Sequence, residues 1–208
     1  MSPTEAANLA RLLRPAIGDE RVLAAIASIP RERFVPADER DRAYENVALP
    51  IGKGQTISQP LVVARMLETL ELKPTDRVLD VGTGSGYHAA LVSLLVEHVW
   101  TIERHRELSA EAERVVRELG IDNVTFVVGD GSEGLPGEAP FDAINVAAAT
   151  GDTMPEALER QLADQGRLVA PVGSANQRLT LTRRVGRRLV HRQLEPVQFV
   201  PLVHGTAG

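Results

Sequence analysis

The chain reads as an α/β protein: a doubly wound, mostly parallel seven-stranded sheet with an N-terminal helical cap and a C-terminal antiparallel hairpin. Three observations predict this. Short apolar runs alternate with helix-period segments from residue 77 to residue 162, the pattern of a parallel sheet with right-handed crossovers. Three glycines spaced by two, Gly82, Gly84 and Gly86, follow directly on the apolar run 78–81. The last two runs, 177–185 and 188–194, flank Gly186 as the arms of a hairpin do.

The elements follow in order. Residues 4–13 form a first helix, with Ala7, Leu9, Ala10, Leu12 and Leu13 as its apolar positions. Residues 19–28 form a second, N-capped by Asp19, with Val22, Leu23, Ile26 and Ile29 on one face. The segment 30–36, bounded by Pro30 and Pro36, ends it, and residues 38–44 are a charged loop or short helix. Residues 47–51 carry the one strand signal of this first third. Residues 52–60 read as a polar loop, with Ser58 or Gln59 starting a helix whose first turn holds Pro60. Val62, Val63, Met66, Leu67 and Leu70 give that helix its face. Strands then fall at 77–81, 98–102, 124–128, 143–146 and 166–172, with helices at 87–96, 107–119 and 155–162 between them. The chain is one domain, 1–208, divided into a cap (1–50) and a sheet region (51–208).

Composition narrows the function. At 208 residues the chain can bury an independent core. Its 43% hydrophobic and 25% charged content is that of a soluble globular protein. A net charge of −5 and only 3% aromatics disfavour a nucleic-acid binder. The arginines at 183, 184, 187, 188 and 192 lie across the predicted hairpin tip and read as a solvated turn. With no cysteine there is no disulfide, thiol nucleophile or cysteine zinc site. The first fifteen residues lack an apolar signal core, and no apolar run approaches membrane-spanning length. The expectation is a cytoplasmic enzyme, a monomer without a membrane or nucleic-acid partner.

The chemistry collects at strand ends. A glycine turn between strand and helix lets a ligand approach the backbone, and the helix aims its free N–H groups at the same place. A dinucleotide turn would carry a further glycine where Tyr87 stands. Glu103 closes the second strand beside the turn, where a carboxylate can accept both ribose hydroxyls or, as a surface group, pair with Arg104 or Arg106; the position alone does not separate NAD from other nucleosides. Asp130, between Gly129 and Gly131, ends the third strand, as a base contact or an Asx turn. The five histidines (88, 98, 105, 191 and 204) are scattered and read as structural or surface groups.

The pattern D-x-G-x-G-x-G from Asp80 to Gly86 resembles motif I of class I S-adenosylmethionine-dependent methyltransferases. The segments IGKGQTISQP (51–60), VWTIE (99–103), VGDG (128–131), APFDA (139–143), GRLVAPVG (166–173) and LEPVQFVPL (194–202) narrow the resemblance to the protein-L-isoaspartate O-methyltransferase family. The likeness runs from about Val22 to Leu202, and its specific part is the Gln55-Thr56-Ile57-Ser58 loop.

The resemblance implies a Rossmann-like fold. The cofactor is S-adenosyl-L-methionine, leaving S-adenosyl-L-homocysteine. The substrates are isoaspartyl residues of damaged proteins and peptides, methylated on the free carboxylate so that the ester closes to a succinimide. Ser58 is then the catalytic residue, orienting the substrate carboxylate. Gln55, Thr56, Ile57, Asp80, Gly82, Thr83, Gly84, Ser85, Glu103, Arg104, Asp130 and Gly131 bind the cofactor. Asp80 meets its methionine part and Asp130 the adenine amine. Ile57, Ser58, Ala148, Val200 and Leu202 bind substrate, with residues 200–203 packed over the site. No metal is implied. Two departures, Lys53 on the cleft rim and Thr150 in a longer loop before Pro155, leave a related methyltransferase for a dedicated peptide or small-molecule carboxylate as the alternative. An NAD-dependent oxidoreductase and a non-catalytic cofactor binder are the more distant ones.

Overall fold

The computed structural model describes residues 3–207. Five strands form the parallel part of the sheet: β3 (Arg77–Val81), β4 (His98–Glu103), β5 (Val124–Val128), β6 (Phe141–Val146) and β7 (Leu162–Val172). β8 (Arg178–Val185) runs antiparallel to β7, and β9 (Arg188–Pro196) antiparallel to β8. The order is β5-β4-β3-β6-β7-β8-β9. The chain therefore starts at β3 in the middle, walks out to β5, and returns across β3 to β6. That reversal opens a crevice at the carboxyl ends of β3, β4 and β6.

Side chains alternate along these strands, so each face carries its own core. Val78, Val99, Ala143 and Val169 pack on one face with the helical cap; Leu79, Val81, Ile102, Ile144 and Leu168 pack on the other. The first face is covered by α1 (Pro3–Leu13), α2 (Glu20–Ser28), α3 (Pro60–Leu70) and α4 (Tyr87–Ser93). Cap and sheet thus share one cluster, in which Leu9, Leu13, Leu23 and Ile26 pack with Leu67, Leu70 and Leu91. Asp19 caps α2 as its sequence predicts, accepting from Arg21 N at 2.8 Å. Leu12, expected on the apolar face of α1, is exposed.

Residues 52–60 are not a loop. β1 (Leu49–Gly52) turns at Lys53 and Gly54 into β2 (Gln55–Ile57), and the two pair antiparallel. The polar, glycine-flanked QTI segment hides this strand from a pattern reading. Nor does Ser58 or Gln59 cap α3 with a side chain. Asn46 does so from fifteen residues upstream, its Oδ1 accepting from Leu61 N at 3.0 Å.

Two helices are shorter than expected. α4 stops at Ser93 because Asn123, ahead of β5, donates to the carbonyls of Ser93, Val96 and Glu97. α6 (Glu156–Arg160) stops because Leu162 already pairs with Phe141. α5 (Arg106–Glu118) ends before Gly120, whose φ is +75°. None of the described helices is long and apolar enough to cross a membrane.

Candidate active site

The crevice holds a cleft at the place where open α/β sheets bind their ligands. Its floor is the turn after β3. Gly82, Thr83, Gly84 and Ser85 line it, and Gly82 N and Thr83 N bond back to Ile102 O. At Gly86 the backbone takes φ +88°, and a Cβ there would stand 2.9 Å from Ala112 Cβ on α5, so glycine satisfies both the turn and the close helix approach. On one side lie Glu103 and Arg104 at the end of β4, with Gly131 beyond β5. Gly131 sits against Val81, which would meet its Cβ at 2.6 Å. The opposite wall is Gln55, Thr56, Ile57 and Ser58, and the roof is Ala148 with Val200 to Val203.

Glu103 is nearly buried, and its carboxylate is held by backbone amides: Gly84 N donates to Oε2 at 2.9 Å and His105 N to Oε1 at 3.0 Å. It forms no ion pair with a described residue, Arg104 and Arg106 included. An oxygen carries two lone pairs, so the carboxylate can still accept two vicinal hydroxyls.

Two sequence-predicted residues stand outside the cleft lining. Asp80 is fully buried, one residue before the turn and on the opposite face of the strand from Val81, which does line the cleft. It lies in one row across three strands, paired in register with Thr101 on β4 and Asn145 on β6. Thr101 Oγ1 donates to it at 2.9 Å and Asn145 Nδ2 at 2.7 Å. Burial raises its pKa to about 6; those two hydrogen bonds oppose the rise and the Glu103 charge adds to it. Asp80 thus supports the turn from beneath rather than facing the cleft. Asp130 makes an Asx turn: its Oδ1 accepts from Ser132 N and Oγ at 2.9 and 2.6 Å, and its Oδ2 accepts from Gly205 N at 2.5 Å. Burial pushes its pKa up, but these bonds outweigh it and hold the carboxyl below its ordinary range.

The remaining sequence-predicted residues, fourteen side by side in one cavity, do line the cleft. The structure adds Val63, Val81, Tyr87, His88, Ile102, His105 and Ala147, most of them apolar. His88 and His105 therefore belong to the site's wall, although His88 is buried and burial lowers its pKa to about 4, leaving a neutral ring. The two departures lie elsewhere. Lys53 sits at the hairpin tip, 3.1 Å from Glu107, and Thr150 bonds to Pro171 O and Thr153 O; neither lines the cleft.

A second, more open groove joins the cleft. Ala48, Gln59, Val62, Pro196 and Phe199 line it, and it shares Thr56, Ser58, Ala147 and Val200 with the cleft. Ser58 is half-buried at this junction, and its hydroxyl makes no hydrogen bond to another described residue. Among the described residues there is no acidic or histidine cluster fit for a metal ion.

A cleft with a carboxylate at a strand end, joined to a groove beside a serine hydroxyl that bonds to no other described residue, suits a group transfer between two bound molecules. The profile of the protein-L-isoaspartate(D-aspartate) O-methyltransferase family matches residues 7–207. The chain belongs to that family. A protein-L-isoaspartate O-methyltransferase of Roseiflexus castenholzii is 54% identical over 197 residues, 94% of this chain and 90% of the relative. A solved protein-L-isoaspartate O-methyltransferase is 32% identical with a TM-score of 0.85, covering 97% of this chain and 65% of its own. A Plasmodium falciparum relative, solved in complex with S-adenosyl-L-homocysteine, is 26% identical with a TM-score of 0.83 over 95% of this chain and 98% of its own. In this chain the parallel strands form the crevice, and β8 and β9 extend the sheet beyond it.

Proposed function

We propose that the protein methylates the free carboxylate of isoaspartyl residues in damaged proteins and peptides, with S-adenosyl-L-methionine as donor, and so begins their repair. Family membership over nearly the whole chain supports the reaction. The observation that carries it is the meeting of two cavities at Thr56, Ser58, Ala147 and Val200, one lined by the glycine turn and Glu103 and the other a groove opening beyond Ser58.

The lining suits the cofactor: Glu103 would accept the ribose hydroxyls, the Gly82–Ser85 backbone would leave room for the methionine part, and the Gly131 region would receive the base. When bound, S-adenosylmethionine supplies a sulfonium methyl that a carboxylate oxygen takes in one displacement, forming the ester C–O bond, breaking the S–C bond and leaving a thioether. Both charges vanish and no proton moves, so the chain needs no general base; a carboxylate with a pKa near 4 is already ionised at neutral pH. The chain's residues hold and dry the reactants. The Ser58 hydroxyl donates to the carboxylate at the junction. Ile57, Ala148, Val200 and Leu202 exclude water around it. We further propose that the protein works as a monomer in the cytoplasm and takes no nucleic acid.

Repair is tested by incubating a synthetic isoaspartyl peptide with enzyme and cofactor and following it by chromatography and mass spectrometry. The expected course is a transient methyl ester, a succinimide, and rising aspartyl peptide. A stable ester on some other carboxylate, with the isoaspartyl group untouched, overturns the reading.

A further inference from the structure

Arg31 lies at the centre of the cap, on a short 3-10 turn (Arg31–Phe34). Its side chain has no exposed surface. A guanidinium stays protonated in a protein, and burying one is expensive unless an anion pairs with it. Arg31 has no acidic partner among the described residues. Its donors go to two backbone carbonyls: Nε to Ala43 O and Nη2 to Ser58 O, both at 2.8 Å. Nη1 has no hydrogen-bond partner. The guanidinium carbon sits 4.8 Å from the centre of the Tyr87 ring, a cation–π distance, and Tyr87 lines the cleft directly after the glycine turn.

These contacts join three parts of the molecule. Ala43 belongs to the cap. Ser58 is one of two residues between the end of β2 and the start of α3. Tyr87 begins the helix that follows the glycine turn. Two other arginines that donate to backbone carbonyls, buried Arg167 and exposed Arg21, do nothing similar at the site. Arg167 is paired with Asp76, and Arg21 binds Leu72 O and Leu95 O at the far end of the sheet. A fully buried arginine without a counter-ion is retained at a cost, and the group its fork fixes is the peptide carrying Ser58.

We propose that Arg31 is a positioning residue for methyl transfer: by gripping the Ser58 carbonyl from inside the cap, it fixes the Ser58 hydroxyl at the junction of cofactor cleft and substrate groove. The inference rests on the reaction proposed above. It makes the helical cap part of the catalytic apparatus rather than a cover. Turnover should depend on Arg31 more than cofactor binding does, because its hydrogen bonds end on the carbonyls of Ala43 and Ser58 and none on Glu103 or on residues 82–86.

The test compares the wild type with Arg31→Met, Arg31→Lys and Arg21→Met. Turnover and KM are measured on an isoaspartyl peptide, S-adenosylhomocysteine affinity by calorimetry, and Tm for each. Arg31→Met should lower kcat by about tenfold or more, since small displacements at a reacting group cost that much, while cofactor Kd moves less than about threefold. Arg31→Lys, which can reach one carbonyl of the two, should fall between. Arg21→Met should lose Tm and keep kcat. If Arg31→Met does not fold, Arg31→Lys decides alone. A folded Arg31 variant with wild-type kcat overturns the proposal. So does a parallel loss of cofactor affinity and turnover, or an Arg21→Met variant that loses kcat as fast as it loses Tm. A wild type inactive on the isoaspartyl peptide overturns the reaction itself, and is seen before any variant is made.

Discussion

Glu103 Oε2 accepts the Gly84 amide hydrogen at 2.9 Å. One bond thus ties the end of β4 to the middle of the glycine turn on β3, and sets the carboxylate where two strand ends meet. Glu103→Gln keeps an acceptor for Gly84 but loses the charge that accepts ribose hydroxyls. A charged hydrogen bond contributes roughly 1.5–3 kcal/mol, so S-adenosylhomocysteine affinity should fall about ten- to a hundredfold. Calorimetry checks this; unchanged affinity would place the ribose elsewhere.

Asp80 gives stability a pH signature. Its folded pKa is raised to about 6 from 3.8. A raised carboxyl favours the fold in its protonated form, so the contribution is full below about pH 4 and lost as pH rises through 6. Asp80→Asn has no such loss. The stability of the wild type relative to this variant should decline between pH 4 and 6, by up to roughly 3 kcal/mol. Urea titrations of both proteins at matched pH measure it. A constant difference would mean that Asp80 titrates as an ordinary carboxyl.

Gly86 and Ala112 share a space too small for two methyl groups. Gly86→Ala adds strain at φ +88° and a contact of 2.9 Å, together expected to cost about 1–3 kcal/mol. Ala112→Gly in the same chain should return the contact part and leave the backbone part. Thermal melts of the two single variants and the double variant separate them. Strict additivity would show that the two sites do not touch.

Residues 204–207 are strapped across the ends of β4 and β5. Gly205 N donates to Asp130, Arg104 Nε donates to Gly205 O, Ala207 N donates to Arg104 O, and Ser132 Oγ meets His204 Nδ1 at 2.8 Å. Asp130→Ala removes the anchor of this strap. Amide exchange at Gly205 should speed by about tenfold or more, as loss of a hydrogen bond to a charged group predicts. Unchanged protection would show that the other contacts hold the strap alone.

The parallel sheet is legible because its strands are β-branched or apolar runs, β3, β4, β5 and β7 ending at glycine or an acid, a signal carried by a few neighbouring residues. The glycine turn and Glu103 were legible for the same reason. What escaped depends on distance in sequence. Strand β2 exists because Leu49 and Pro50 pair with Ile57 and Thr56, and its own three residues do not announce it. Asp80 was placed at the right strand end, but which face of a two-sided sheet a residue takes follows from pleat and register, here the Thr101–Asp80–Asn145 row. Asp130 reads as a base contact or an Asx turn; the Asx turn is local and is there, but its Oδ2 accepts from a glycine 75 residues away. Arg31 is one charged residue beside Glu32 and Arg33 in the sequence; only packing makes it buried.

The central claim is methyl transfer to an isoaspartyl carboxylate held by Ser58. The most direct measurement uses labelled S-adenosylmethionine with an isoaspartyl peptide, its aspartyl twin, and the Ser58→Ala variant. The account predicts label on the isoaspartyl peptide alone, and a kcat about tenfold to a hundredfold lower in the variant, the loss expected when a hydrogen bond to a charged reactant is removed. Label on both peptides, or on neither by protein that binds the cofactor, would contradict it; full activity in Ser58→Ala would contradict the role of the serine.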